Sequence, residues 1–416
     1  MNKNNTQFSA YDEFNNGELL IARGCRYSLN DYKTLLNNNV LVVGGSGTGK
    51  TRYIVTPNLL EAVGSYIISD PKGNLRRKHS DYLEKHGYKI INVDFTHPEA
   101  SMHYNPLMCI RNTQDILKIS YMLIDEKATR ASNSDPYWDN ITTMFMASLI
   151  AYLVETNSKS LNFSEILKLA REGERENDDS KKSALSERFL RLKNVNPDSW
   201  ACQQFENVNA APHKTYDCIR STLAAKFSKL DTRELRMMMS GTDIDFEAIG
   251  REKTAVFVTV SDTDRSMDAL VNIFFTQAMQ MLCDYADNKC PDCRLPVPVR
   301  FFLDDFATNC RIDEFPRMIS SIRSRAISVM LMIQAEAQLI HGYGNDGYTI
   351  MSNCDTYAYL GGNDLSTARA VSERCDKPLK QILSMAIGDC WIFRRGEPPV
   401  FSRLLPPKAL TPERGL

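Results

Sequence analysis

No apolar run in these 416 residues is long enough to cross a bilayer as a helix. The most continuous one, Met144 to Val154, falls well short of the roughly 18 residues a span requires and reads as a buried helix. The opening Met1-Asn2-Lys3-Asn4-Asn5 is polar and lacks the apolar core of a signal peptide, so no segment is expected to insert by itself. An excess of one charge is also missing. Fifty basic against 51 acidic residues leave a formal net of −1, so any contact with DNA has to come from local patches. Eleven cysteines are too sparse for a disulfide scaffold in a chain of this length. The close pair Cys290-Pro291-Asp292-Cys293 has no second pair at zinc-ribbon spacing and reads as ordinary thiols on a loop. Internal repeats and low-complexity tracts are absent. What remains, 43% hydrophobic and 24% charged, is the composition of an ordinary globular protein, large enough for two domains or one domain with a big insertion.

One stretch organises the rest. Gly44-Gly45-Ser46-Gly47-Thr48-Gly49-Lys50-Thr51 follows the apolar run Val40 to Val43 and precedes a helical stretch from Arg52 to Ala62. This is the phosphate-binding pattern G-x-x-x-x-G-K-[ST] in its required setting of strand, loop and helix. Glycines let the backbone turn N–H groups toward phosphate oxygens at close range. Lys50 would neutralise the β- and γ-phosphates of ATP, and Thr51 would offer its hydroxyl to Mg2+.

Strand-like runs at Val40–Val43, Ser65–Ser69 and Lys89–Val93 alternate with helical segments, which implies a parallel sheet covered on both faces. From about Thr113 to Ile249 the alternation stops and helical periodicity takes over, clearest at 141–154, 163–170 and 213–230. The charged stretch Arg171 to Lys182 reads as a solvated linker. Strands return at Lys253–Val260, Pro298–Asp305, Ile327–Ile333, Thr356–Leu360 and Cys390–Phe393, with a long helix over Asp264–Asp287. The simplest architecture is one α/β P-loop domain in two parts, 1–122 and 253–416, interrupted by an all-helical insertion at 123–252.

A P-loop needs a carboxylate at the end of another core strand. Val299 to Asp305 is a buried run ending in two acids; Asp304 is assigned to Mg2+ and Asp305 to activation of the attacking water. Gln334, ending the next strand, is placed to sense the γ-phosphate. Arg323 and Arg325 precede that strand, and one such arginine can act as a finger on a neighbouring subunit's phosphates. Ser69-Asp70-Pro71-Lys72-Gly73 ends another strand at the same edge; its basic continuation Arg76-Arg77-Lys78-His79 reads first as a solvated helix face.

Taken in order, the P-loop, Ser69 to Gly73, Asp135-Pro136-Tyr137-Trp138, Thr242 to Phe246, Lys253 to Phe257, Phe302 to Ala307, Arg323-Ser324-Arg325, Gln334 and Gly361-Gly362-Asn363-Asp364 resemble the type IV coupling proteins of conjugative transfer, the TraG/TraD-type ATPases. The resemblance covers residue 40 to about 405. It implies a RecA-like motor with an all-alpha insertion facing the cytoplasm, assembled as a homo-hexamer around a DNA channel and monomeric in isolation. It implies delivery of single-stranded DNA with bound relaxase to the channel proteins of a type IV secretion system, fuelled by ATP with Mg2+, at the cytoplasmic face of the bacterial membrane. Lys50, Thr51, Asp304, Asp305 and Gln334 take the phosphate, metal, Walker B and sensor positions, and Arg323 that of the finger in trans. Two features depart from the family. Walker B reads Asp-Asp where members commonly carry Asp-Glu, and the N-terminal membrane anchor is missing, which implies either a separate membrane partner or residues removed ahead of the domain. The alternatives are a slowly hydrolysing, nucleotide-gated adaptor, a ring motor for chromosomal or packaged DNA, and a small-molecule kinase.

Overall fold

A computed structural model of the chain describes residues 10–124, 136–174, 183–306, 308 and 310–405. Among the described residues are eleven strands: β1 (Glu18–Ala22), β2 (Cys25–Ser28), β3 (Val40–Val43), β4 (Ser65–Pro71), β5 (Lys89–Asp94), β6 (Thr254–Val260), β7 (Val299–Leu303), β8 (Ile327–Ile333), β9 (Thr356–Tyr359), β10 (Asp389–Arg394) and β11 (Val400–Arg403). By contacts the chain divides into two compact units. One comprises 1–96, 245–271 and 278–416; the other comprises 97–244 and 272–277.

The first unit is built on a nine-stranded sheet in the order β11-β10-β9-β3-β8-β7-β4-β6-β5. β3 to β9 run parallel; β10 pairs antiparallel with β9 and runs against them, and β11 turns back beside β10 in the direction of the parallel strands. Strands β3, β6, β7 and β8 are buried at every position, as expected of continuous Val, Ile, Leu and Phe runs covered on both faces. Each such side chain taken from water contributes about 1.5–3 kcal/mol before entropy is counted. The register matters more than the total. Val43 lies opposite Ile333 on one side and Tyr359 on the other, so the carboxyl ends of β9, β3 and β8 come level. β7 joins at Leu303 opposite Leu331, which brings Asp304 to the same edge.

One charged residue breaks the pattern of these four strands. Arg300 on β7 is only 3% exposed. Its Nε donates to Ser328 Oγ at 3.3 Å, the Phe14 ring lies 5.9 Å away, and burial pushes the guanidinium down to about 10.

Ahead of β3 the chain forms the β1–β2 hairpin, a separate two-stranded sheet. Leu19, Ile21 and Cys25 join the core that also holds Val40, Val42, Ile54 and Leu59. Asn58 ties the two together by accepting the Leu20 N–H at 2.9 Å and donating to Leu20 O at 2.6 Å.

The second unit holds helices Thr113–Ile124, Pro136–Glu155, Phe163–Glu172, Ala184–Val195, Trp200–Asn209, His213–Ser228 and Arg233–Met238, with no strand among its described residues. The apolar run 144–154 becomes the C-terminal half of the 20-residue helix Pro136–Glu155, whose Phe145, Met146, Leu149 and Ile150 are fully buried. A helix apolar all round sits inside a bundle. Four of the other helices are capped by side chains: Asn162, Ser183, Ser199 and Thr232 each accept a backbone N–H at a helix start. Phe189 and Phe205 stack at 4.0 Å between ring centroids.

The contact division at 97 and 244 differs from the expected 123 and 252. Residues before Thr113 carry no helical periodicity, but they are bonded into the bundle. Tyr104 N–H donates to Met238 O at 2.9 Å, and Asn105 Nδ2 donates to Leu161 O and Met239 O at 2.8 and 3.0 Å. Asp135 of the Asp-Pro-Tyr-Trp motif, Ala307 and the linker residues 175–182 lie outside the described residues. Among the described residues no helix is long and apolar enough to cross a membrane.

Candidate nucleotide site

The loop after β3 is held open from both flanks. Gly44 N–H extends the β3–β8 ladder to Ile333 O at 3.1 Å, while Gly45 N–H is drawn to Gly361 O at 2.9 Å. Thr48 Oγ1 closes the turn onto Gly45 O at 2.9 Å. Gly47 and Gly49 adopt φ of +78° and +87°, which side chains rarely tolerate. At Gly49 a Cβ would also meet the Tyr53 ring at 2.3 Å. The loop's tip, Ser46 and Gly47, is exposed. The N–H groups of Gly47, Gly49, Lys50 and Thr51 find no backbone acceptor, and they precede a helix whose first turn, Thr51–Val55, is of the wide π type. Such unpaired N–H groups at a helix N-terminus form an anion cradle.

Lys50 is 8% exposed and folds back over this cradle. Its Nζ donates to Gly44 O at 2.6 Å and Gly45 O at 3.2 Å. Burial lowers its pKa, opposed by the Asp305 and Asp304 carboxylates.

Across the sheet edge, Thr51 Oγ1 donates to Asp304 Oδ2 at 2.6 Å. This bond joins the loop after β3 to the end of β7, residues 253 positions apart. Asp304 also accepts the Asp305 N–H at 3.1 Å, yet burial pushes its pKa upward. A hydroxyl and a buried carboxylate in contact are the hard oxygen donors that suit Mg2+, and a cation there would offset the penalty of the buried charge. Asp305 takes φ of +49°, an uncommon left-handed conformation that Asp tolerates better than most residues. Gln334 Nε2 reaches its Oδ1 at 3.4 Å. The structure thus brings the P-loop, Asp304, Asp305 and Gln334 together at one edge, where parallel α/β sheets bind ligands.

Arg323 is elsewhere. It precedes β8, at the amino end of a seven-residue strand. That is about 20 Å from the Gln334 end at 3.3 Å per residue. Its guanidinium donates to Asp31 O at 2.8 Å and Leu35 O at 3.2 Å. Arg325 is paired with Asp287 at 2.7 Å. Neither arginine reaches the P-loop of its own chain.

Asp70, at the end of β4, turns inward. It is 1% exposed and accepts Leu75 N–H at 2.9 Å and Arg76 N–H at 2.8 Å, starting the helix Asn74–Lys85 that carries Arg76 to His79. Lys72, exposed, pairs with Asp262 at 2.7 Å. Gly361-Gly362 has a part that residue types did not reveal. A Cβ on Gly362 would sit 3.3 Å from Gly45 N, so this turn is the wall against which the P-loop is built. Asp364 then caps the helix Leu365–Cys375 through Thr367 N–H at 2.8 Å. Adjacent glycines after a strand were the only signal.

Sheet order, P-loop and paired acids define a P-loop NTPase fold of the RecA-like kind. The chain belongs to the Type IV secretory system conjugative DNA transfer family, whose sequence profile matches residues 2–379. Protein VirD4 of Rhizobium rhizogenes is 23% identical over 363 residues, covering 85% of this chain and 51% of that protein. The type IV secretion system-coupling protein VirD4 of Bartonella henselae is 19% identical over 352 residues, covering 82% and 53%. The chain thus spans about half the length of the curated relatives it matches. The bacterial conjugative coupling protein TrwBdeltaN70 shares the fold with a TM-score of 0.66 at 14% identity, covering 93% of this chain and 89% of that one.

Proposed function

We propose that the chain is the motor part of a conjugative coupling ATPase, which hydrolyses ATP to deliver single-stranded DNA with its bound relaxase to a type IV secretion channel. The carrying observation is the Thr51 to Asp304 bond of 2.6 Å with Asp305 and Gln334 beside it, a P-loop and Walker B assembled from distant segments in a member of this family. Solved structures of the plasmid coupling protein TrwB with a non-hydrolysable ATP analogue, and with ADP and Mg2+, support the choice of nucleotide.

In this reading Gly47, Gly49, Lys50 and Thr51 direct backbone N–H groups at the phosphates, and Lys50 Nζ leaves the loop carbonyls for the β- and γ-phosphates. Thr51 and Asp304 hold Mg2+, which neutralises charge on the phosphate oxygens when bound. Asp305 accepts the proton of the attacking water, and Gln334, in contact with Asp305, orients that water. The helical unit receives the relaxosome. The active state is a homo-hexamer, tethered to the membrane through a partner or a segment ahead of the domain. Arg323 serves a neighbour's site in this ring after leaving Asp31 and Leu35.

Steady-state hydrolysis with and without single-stranded DNA, over a protein concentration series, tests this. Stimulation that rises more than linearly with protein and vanishes in Lys50→Ala supports the ring motor. Mixing Lys50→Ala with Arg323→Ala chains adds a second check, since a finger in trans restores part of the activity in the mixture. Asp305 supports one rival reading, a slowly hydrolysing adaptor. Its side chain is shorter than Glu and sits in a left-handed conformation. A DNA-indifferent rate with intact nucleotide binding would favour that reading.

A further inference from the structure

The sheet order gives the nucleotide site a direction. Asp304, Asp305 and Gln334 all end strands on the β8 and β7 side of β3, so under the nucleotide reading, on which this inference rests, the terminal phosphate belongs on that side. A triphosphate lying in the loop then carries its nucleoside the other way, over the turn after β9. That turn is shaped for close approach: Gly361 has φ of +83°, its carbonyl holds Gly45 N–H at 2.9 Å, and Gly362 presses on Gly45.

Beyond the turn stands the segment 381–388, Gln-Ile-Leu-Ser-Met-Ala-Ile-Gly, eight residues without a charge. Met385 Cβ lies 4.0 Å from the place a Cβ on Gly361 would occupy. The loop is firmly held. Ile382 is buried, Ser384 N–H donates to Lys380 O at 3.1 Å, Asp389 N–H to Ala386 O at 3.0 Å, and Leu404 N–H to Gly388 O at 2.8 Å. Yet it shows apolar side chains to water: Leu383 is 41% exposed, Ile387 92%, and Met385 is half-buried. A fixed apolar ledge continuous with the wall of the P-loop is fitted to a flat, weakly hydrated ring.

We propose that this ledge is the base subsite: the purine of the bound nucleoside triphosphate packs on Met385, flanked by Leu383 and Ile387. The ledge offers apolar contact with no charged group, so it reads the presence of a purine and discriminates little between adenine and guanine.

Calorimetric titration of ATP, GTP and inorganic tripolyphosphate, each with Mg2+, into the wild type, Met385→Ala and Met385→Leu tests the assignment. The wild type should bind ATP and GTP within about threefold of each other and both more tightly than tripolyphosphate. Met385→Ala should weaken both nucleotides about tenfold and leave tripolyphosphate unchanged, while Met385→Leu keeps the wild-type affinities. The subsite is overturned if Met385→Ala leaves ATP affinity intact or weakens tripolyphosphate equally. It is also overturned if the substitution changes only the oligomeric mass measured by light scattering, which would assign the ledge to a contact between copies. Wild-type protein that binds tripolyphosphate as tightly as ATP removes the subsite and leaves the P-loop reading standing. Protein that binds neither removes both.

Discussion

Replacing Asp304 by Asn separates the stability of the site from its chemistry. The carboxylate is 8% exposed and burial is the chief cause of its raised pKa. A group held more tightly protonated in the folded state than in the unfolded one contributes stability at low pH, and that stability is lost as pH rises through the folded pKa. At pH 8 the native protein therefore carries the full penalty of a buried charge. Asn keeps the shape and the acceptor toward Asp305 N–H, and its amide donates to Thr51 Oγ1, so the local bonds survive. Asp304→Asn should gain about 1 kcal/mol at pH 8, a rise of about 2 °C in Tm, and the gain should shrink as pH falls into the range where the raised carboxyl takes up its proton. Under the ATPase reading proposed above, ATP hydrolysis should fall by about a hundredfold or more, because an amide is a poor Mg2+ ligand beside the phosphates. Differential scanning calorimetry from pH 5 to 8 and phosphate release at pH 8 read the two effects. A variant less stable than the wild type at pH 8, or a gain that grows toward acid, would refute the electrostatic reading of the site.

Gly49→Ala should abolish nucleotide binding and destabilise the protein by about 2 kcal/mol or more, since its Cβ would meet the Tyr53 ring at 2.3 Å in a left-handed backbone; thermal melting and ATP titration measure both. Asp70→Ala should lower stability by about 1–2 kcal/mol by leaving Leu75 and Arg76 N–H groups uncapped, seen as a shifted urea midpoint at unchanged slope. Asp31→Ala strips the buried partner that Arg294 engages at 2.8 and 3.0 Å and should cost about 3 kcal/mol, the largest loss among the charge deletions in a denaturation series. Arg300→Met, by contrast, should be neutral or stabilising by about 1 kcal/mol in the same series, because it replaces a buried guanidinium that has no carboxylate at ion-pair distance among the described residues and feels Glu61 only from farther away.

Every core strand of the nine-stranded sheet except β11 is legible in the chain as an apolar run, because a parallel sheet buried on both faces needs unbroken Val, Ile, Leu and Phe. β2 and β11 are not legible. Cys25-Arg26-Tyr27-Ser28 and Val400-Phe401-Ser402-Arg403 are short, polar at half their positions and partly exposed, and they exist through the strand beside them. The two acids after β7 are equally visible, but their division of labour comes from contacts. Asp304 meets Thr51 and Asp305, in a left-handed conformation, meets Gln334.

By itself the chain determined the elements that depend on near neighbours: the loop from Gly44 to Thr51, the strand before it, the helices of 113–238 and the acids ending β7. Local sterics, periodicity and chemistry are written in consecutive residues. Only the tertiary structure decided that Asp70 caps a helix, that Gly361 and Gly362 form the wall of the P-loop, that Arg323 is held at the far end of β8, and that Met385 lies beside the site. Those outcomes depend on which strands become neighbours and in what register. Pairing energies between segments hundreds of residues apart settle that choice, and no short stretch of sequence contains them.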